Sequence, residues 1–370
     1  MKNKMEQKKK IKILQIVGNM NNGGVEAFVL SYYHELHDLC EFTFMCFDGS
    51  LHIPEEEIKS LGGKIVIVPH IKHLHAFNKA LDKHLKENKY DIIHSHLNTL
   101  SVFPLRIAKK NKCPIRIAHS HSASNKKEFK RHLAKSILRL FSRKYANVYY
   151  ACSEVAGRFQ FGNKAFDKGL VEIIINGVDL NKYKFNLEAR NSIRNALNLK
   201  ENDYVIGNVG RFVGTKNQQY ILKIAAKCPD KKFLLLGSGE LEETYKKEIA
   251  DKHLNNVILK VTNESIVDYY SAFDMFAFPS LYEGLGLVML EAESNGLYVV
   301  CSNFVPSVTL LTGYGKYLHI NNEDIDKWVE EINKAQPRQD LAYKIKEAGY
   351  DIKDSAISLY KKYQNLIKEK

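Results

Sequence analysis

Short apolar runs alternate with stretches of helical spacing along nearly the whole chain, and this alternation limits the fold more than any other feature. The runs fall at residues 11–17, 42–47, 64–68, 91–94, 115–118, 148–151 and 171–175. Between them, residues 25–39, 74–86 and 99–110 carry apolar side chains three and four apart. Strands alternating with helices give a parallel sheet covered on both faces. The pattern pauses at Asn176-Gly177 and restarts with runs at 204–209, 232–236, 257–260, 275–278 and 298–301. At 370 residues the chain is too long for one ordinary core. The expectation is two α/β domains, residues 1–185 and 186–350, with the hinge at about 176–190 and a final helix over 351–370.

Composition removes several classes. No apolar run approaches the roughly 18 residues that a membrane-spanning helix needs, and no segment is of low complexity. Basic residues 1–10 precede the first apolar run, but Lys12 and Gln15 interrupt it and no cleavage site follows, so it reads as a strand and not a signal peptide. Six scattered cysteines without a C-x-x-C predict reduced thiols and a cytoplasmic protein. The net charge of +13 divides into about +14 on residues 1–185 and about −1 on the rest. The first half either meets something acidic or carries solvated lysines.

The densest chemistry is Phe278-Pro-Ser-Leu-Tyr-Glu283-Gly-Leu-Gly286-Leu287-Val288-Met-Leu-Glu291. It reads as strand, glycine turn, helix. Such a helix start aims free N–H groups and a positive dipole end at an anion. Glu283 and Glu291 flank that position, as a sugar nucleotide would require; otherwise Glu283 serves the dipole and Glu291 is a solvated face residue. Upstream, Gly210-Arg211-Phe-Val-Gly214-Thr-Lys216 offers two cations beside flexible glycines, Arg to fork onto phosphate oxygens and Lys as a point charge. It lacks the G-K-[ST] ending of a P-loop. Leu236-Gly237-Ser-Gly239 is another glycine turn after a strand, while Asn263, Glu264 and Ser265 read as a helix cap.

In the first half, Gly23 and Gly24 lie between strand and helix in a turn without the G-x-G-x-x-G fingerprint. His94-Ser-His96 and His119-Ser-His121 stand at the carboxyl ends of two expected strands, the rim where open α/β sheets bind ligands. Their spacing puts both rings of a pair on one strand face, which would serve zinc. No Cys or carboxylate in the same turns completes a ligand set. Such a histidine would instead orient a hydroxyl or a phosphate. Residues 126–144 form a basic amphipathic stretch: Phe129, Leu133, Ile137, Leu140 and Phe141 make an apolar stripe surrounded by lysines and arginines. It would lie on an anionic membrane surface, or pack its stripe on the protein's own core.

Taken together, Gly23-Gly-Val-Glu26, His119-Ser-His121, Asn176-Gly-Val-Asp179, Gly210-Arg211 with Lys216, and Glu283 seven residues before Glu291 carry a resemblance. From about residue 11 to 350 the chain resembles the retaining GT-B glycosyltransferases of the large family four, which includes capsule and exopolysaccharide synthesis enzymes. The resemblance implies two Rossmann-like domains facing a central cleft, an acceptor-side N-terminal domain and a C-terminal domain that holds a nucleotide-sugar donor. The tail helix would cross back onto the N-terminal domain. Arg211 and Lys216 would neutralise the diphosphate, aided by backbone at Gly286, Leu287 and Val288 and by the closing Gly23-Gly24 loop. Glu291 would accept from the ribose hydroxyls and Glu283 would contact the donor sugar. The family's N-domain histidine corresponds to His119, with His121 competing for the role. No cofactor and no metal is implied, because Arg and Lys replace the cation; Asp324-Ile-Asp326 looks like a helix cap. Gly296-Leu-Tyr298 departs from the family's Gly-x-Pro, and Pro306-Ser-Val-Thr309 stands where the family often has an acid.

The function expected is transfer of a sugar from a UDP- or GDP-linked donor to a lipid-linked or growing polysaccharide acceptor, by a cytoplasmic protein peripheral at the inner membrane face. A nucleotide-sugar epimerase or a phosphorylase shares the architecture. Nucleic-acid binding, prompted by the basic half, lacks any aromatic-interleaved basic motif.

Overall fold

The computed structural model describes residues 9–21, 23–121, 138–261, 265–306 and 309–370, and the chain divides into two units. The first comprises Met1–Gly177 with Ile352–Lys370, the second Val178–Asp351. The division thus falls at Gly177–Val178, before the expected residue 185, and local packing explains why. A Cβ on Gly177 would lie 2.7 Å from the Ile352 Cα, so the chain leaves the first unit pressed against the returning strand of chain. One step later the Val178 N–H bonds the Tyr350 carbonyl at 2.8 Å, and Val178 pairs with Asp351. Residues after it already serve the second unit: the Asn186 N–H bonds Ser271 Oγ at 3.1 Å and Asn295 bonds the Tyr183 carbonyl at 2.8 Å.

In the first unit, β1 (Ile11–Gly18), β2 (Cys40–Phe47), β3 (Lys64–Val68), β4 (Ile92–Ser95), β5 (Ile115–Ser120), β6 (Val148–Ala151) and β7 (Val171–Ile173) form a parallel sheet ordered β3-β2-β1-β4-β5-β6-β7. Alternate residues feed two cores. Ile13, Val17, Ile92, Ile115 and Ile117 face the helices Gly24–Leu36 and Ile352–Lys368. Leu14, Ile16, Ile93 and Ala118 face the helices Leu74–Glu87 and Val102–Lys110. The helix Ile352–Lys368 buries Ile352, Ala356, Leu359 and Tyr363 in the first of these cores.

The second unit has β8 (Val205–Val209), β9 (Lys232–Gly237), β10 (Val257–Val261), β11 (Met275–Phe278), β12 (Tyr298–Ser302) and β13 (Gly315–Leu318), ordered β10-β9-β8-β11-β12-β13. β13 is a strand that the run of apolar residues does not announce. It is a short edge strand with one buried residue, Leu318, so it carries little hydrophobic signal. Helix Leu187–Ala196, capped by the Asn186 side chain, is anchored to the start of β11. Arg190 and Arg194 each reach the Asp274 carboxylate at 2.6 Å, and Asp274 also accepts the Val205 N–H at 2.8 Å. Asp324 sits in a capping box with Asn321, as a cap should.

In both units the first strand lies between the second and the fourth, so chain order reverses beside it. Ligands of open α/β sheets bind outside the carboxyl ends of strands at such a point. That places interest on the loops after β1 and β4 in the first unit, and after β8 and β11 in the second. Residues 122–137, with most of the basic stretch, and Asn263 and Glu264 lie outside the described residues. Of the remainder, Leu140 and Phe141 are exposed, and Arg143 and Lys144 lie in the short helix Ser142–Tyr145. Among the described residues no helix is long and apolar enough to cross a membrane. All six cysteines are free thiols.

Candidate active site

At the switch point of the second unit, the loop after β8 is clasped to the loop after β11. The Leu281 N–H bonds the Thr215 carbonyl at 2.8 Å, and Asn217 Nδ2 bonds the Pro279 carbonyl at 3.1 Å. Asn217 takes a left-handed conformation, φ 56°, between the 3₁₀ turn Gly214–Lys216 and the helix Gln218–Lys227. Buried Gln218 bonds the Arg211 carbonyl at 3.1 Å and shapes the loop from within. The result brings Lys216 Nζ to 2.7 Å from Glu283 Oε1 and over the Phe278 ring. The Glu283 side chain is only 8% exposed, so water screens this pair weakly.

Gly286, φ 72°, precedes the helix Leu287–Ser294. That backbone favours glycine, and it leaves no side chain to cap the helix. Neither the Leu287 nor the Val288 N–H meets an acceptor among the described residues. A cation, an acid and a bare helix start therefore occupy one pair of adjoining loops. Arg211 is not drawn in: it is exposed and makes no ion pair among the described residues. Glu291 is held by tyrosines. The Tyr270 hydroxyl donates to it at 2.5 Å and Tyr183 lies close by, while burial raises its carboxyl above the usual range. Neither tyrosine stands out in the sequence; both sit in ordinary helical or linker spacing.

The third loop of this rim locks the first. A Cβ on Gly237 would lie 2.0 Å from the Gly210 carbonyl oxygen, and the Phe212 N–H bonds the Ser238 carbonyl at 2.9 Å. Gly237→Ala is therefore expected to destabilise the second unit by about 1–3 kcal/mol, the usual effect of overpacking. A melting temperature equal to that of the unsubstituted protein would show that the loops do not touch as described.

In the first unit, the four histidines at the ends of β4 and β5 form one group. His94 Nε2 lies 3.0 Å from His119 Nδ1, and His96 Nδ1 lies 2.8 Å from His121 Nε2. Phe28, from the helix Gly24–Leu36, packs its ring on His96, His119 and His121. His94, His96 and His119 are buried, and burial holds all three well below the ordinary imidazole range. His121 is lowered for the same reason. Ligand nitrogens of His94, His96 and His119 lie within 4.8 Å of one another, close enough for a metal ion to engage. His94 Nε2 and His119 Nδ1 are already paired with each other, and no carboxylate or thiol among the described residues joins the group. Gly23 precedes the helix Gly24–Leu36, and its neighbour there is the Glu26 carboxylate, which accepts the Asn21 N–H at 3.0 Å. An acid of the chain's own thus stands at that helix start.

A family model described as Glycosyltransferase Family 4 matches residues 22–182, and one described as Glycosyl transferases group 1 matches residues 189–352. EpsF of Bacillus subtilis (strain 168) is 30% identical over 97% of this chain and 97% of its own. The chain is a glycosyltransferase of this family. The UDP-Gal:alpha-D-GlcNAc-diphosphoundecaprenol alpha-1,3-galactosyltransferase of Escherichia coli is 28% identical over 68% of each chain. The crystal structure of Anabaena HepE in complex with UDP and glucose superposes with a TM-score of 0.76 at 19% identity, over 96% of this chain and 100% of that one. That likeness carries the GT-B fold. The boundary between the two family models, at 182–189, lies just beyond the structural division at Gly177–Val178. In the glycosyltransferase, then, Lys216, Glu283 and the Gly286 turn lie in the part matched as group 1, and Gly23, Gly24 and the histidines in the part matched as family 4.

Proposed function

We propose that this glycosyltransferase moves a sugar from a nucleoside-diphosphate sugar to a lipid-linked saccharide or growing polysaccharide, with retention of anomeric configuration. The observation that carries the reading is Lys216, held at 2.7 Å from Glu283 beside a helix whose first N–H groups have no acceptor among the described residues. A departing diphosphate develops negative charge, and fixed cations and amides act most strongly on charge of that kind. Lys216 and Arg211 neutralise the diphosphate and Gly286, Leu287 and Val288 bond it, so that protein cations take the role of a metal ion. Glu283 then exchanges its lysine partner for a donor-sugar hydroxyl. Glu291, oriented by Tyr270 and Tyr183, receives the ribose. Gly23 and Gly24 meet the donor from the acceptor-side unit, and His119 or His121 orients the sugar.

The acceptor class is suggested by the printed name of the Escherichia coli relative, which uses a diphosphoundecaprenol-linked acceptor. HepE, crystallised with UDP and glucose, makes UDP the first base to test ahead of GDP. Such an acceptor brings the protein to the inner face of the cell membrane from the cytoplasm. The basic stretch 126–144, with Leu140 and Phe141 exposed at its end, supplies the contact.

A ligand that binds only the folded state stabilises it by about 2.7 kcal/mol at a hundredfold excess over Kd. UDP or GDP is therefore expected to raise the melting temperature, and an oligonucleotide of equal phosphate concentration is not. No shift with any nucleoside diphosphate would sink the reading. Release of nucleoside diphosphate from the donor without an acceptor would turn it towards epimerisation.

A further inference from the structure

Gln15 lies on β1, buried and in register with His94 on β4. It is the one buried polar side chain of that strand. Its carbonyl Oε1 lies 2.7 Å from His96 Nε2. On the other side of the group the Tyr363 hydroxyl lies 2.8 Å from His94 Nδ1. Two relays thus run side by side: Gln15–His96–His121 and Tyr363–His94–His119.

Burial keeps the four rings neutral, so each carries one N–H and one lone pair. The proton positions then follow link by link. A carbonyl oxygen only accepts, so His96 Nε2 carries the hydrogen and His96 Nδ1 accepts from His121 Nε2–H. His121 Nδ1 is left with a lone pair. On the other branch the buried Tyr363 hydroxyl has His94 Nδ1 as its one acceptor among the described residues and donates to it. His94 Nε2–H donates to His119 Nδ1, which leaves the hydrogen of His119 on Nε2. That atom is buried and has no partner among the described residues. An unpaired buried N–H is destabilising until it meets an acceptor.

We infer that the Gln15 carbonyl and the Tyr363 hydroxyl set the tautomers of the four histidines, so that His119 presents a donor and His121 an acceptor to a hydroxyl-bearing ligand. The pairing suits a sugar hydroxyl, which accepts at its oxygen and donates its hydrogen. This rests on the proposed donor-sugar reading for the identity of the ligand, but not for the relay itself. Gln15 and Tyr363 are positioning residues: they act through the rings and touch no substrate.

The test is long-range proton–nitrogen NMR of the full chain labelled with ¹⁵N-histidine, near neutral pH, each ring assigned by a single histidine substitution. The expected result is the Nε2–H tautomer at His94, His96, His119 and His121 alike. All four in the Nδ1–H form would mean that both relays run the other way and would overturn the donor and acceptor assignment. A mixture, an imidazolium, or zinc-shifted nitrogens from metal retained on purification would overturn the relay. Tyr363→Phe supplies the second measurement. His96 and His121 are expected to keep the Nε2–H form, while His94 and His119 lose their single tautomer; unchanged His94 and His119 signals would show that Tyr363 does not set them. If the four rings behave as expected but no nucleotide sugar binds, the functional reading fails and the relay stands.

Discussion

Replacing Lys216 with alanine is expected to lower kcat by about 10²- to 10³-fold, the range seen when one preorganised stabiliser of developing charge is removed. The size follows from how little freedom the lysine has. Its loop is tied to the neighbouring loop by the Leu281 and Asn217 bonds, which keep the side chain at the site after Glu283 has exchanged partners. An ammonium already in place need not reorganise when the diphosphate departs. Lys216→Arg keeps the charge but replaces a compact ammonium by a planar fork, so partial activity is expected. Initial rates with saturating donor and acceptor provide the check, together with a melt to exclude a folding defect. Activity of Lys216→Ala within twofold of the unsubstituted enzyme would remove the lysine from the reaction.

A second substitution acts on stability alone. Asp274→Ala is expected to destabilise the second unit by about 3–5 kcal/mol, because it leaves charged arginines without their counter-ion. Arg194 is 4% exposed and cannot turn to water. Its other bonds, to the carbonyls of Ala272, Lys200, Glu201 and Asp203, orient the guanidinium without neutralising it. Trp328 makes the measurement selective. It is the chain's one tryptophan and is fully buried in the second unit, so its fluorescence during urea denaturation follows that unit and not the first. A loss below about 1 kcal/mol would mean that the pair contributes no more than a surface ion pair.

The alternation of apolar runs and helical spacing made the two parallel sheets legible, because strands buried on both faces write themselves as continuous apolar runs. The edge strand β13 escaped for the complementary reason, having one buried residue to announce it. Glu283, Gly286 and Lys216 could be read as one site because each sits just after a strand, and strand ends in a doubly wound sheet converge. What the sequence could not show is which side chains hold those residues. Tyr270 and Tyr183 reach Glu291 across the fold, and Tyr363 reaches His94 from 269 positions away. Gln15 did leave a trace, an amide in a strand whose other buried residues are apolar. Read from the sequence it argued only against a signal peptide; its use emerged once β4 was placed beside β1.

The return of the helix Ile352–Lys368 to the first unit has a consequence for biosynthesis. The second unit is continuous in sequence and can complete its core as soon as it leaves the ribosome. The first unit cannot, although its residues are made earlier. Ile352, Ala356, Leu359 and Tyr363 are part of its core, and they are made after the whole of the second unit. A polypeptide arrested before Ile352 would thus carry a finished half and an unfinished one, with His94 lacking its tyrosine. Completion of the first unit therefore waits until the helix Ile352–Lys368 has been made.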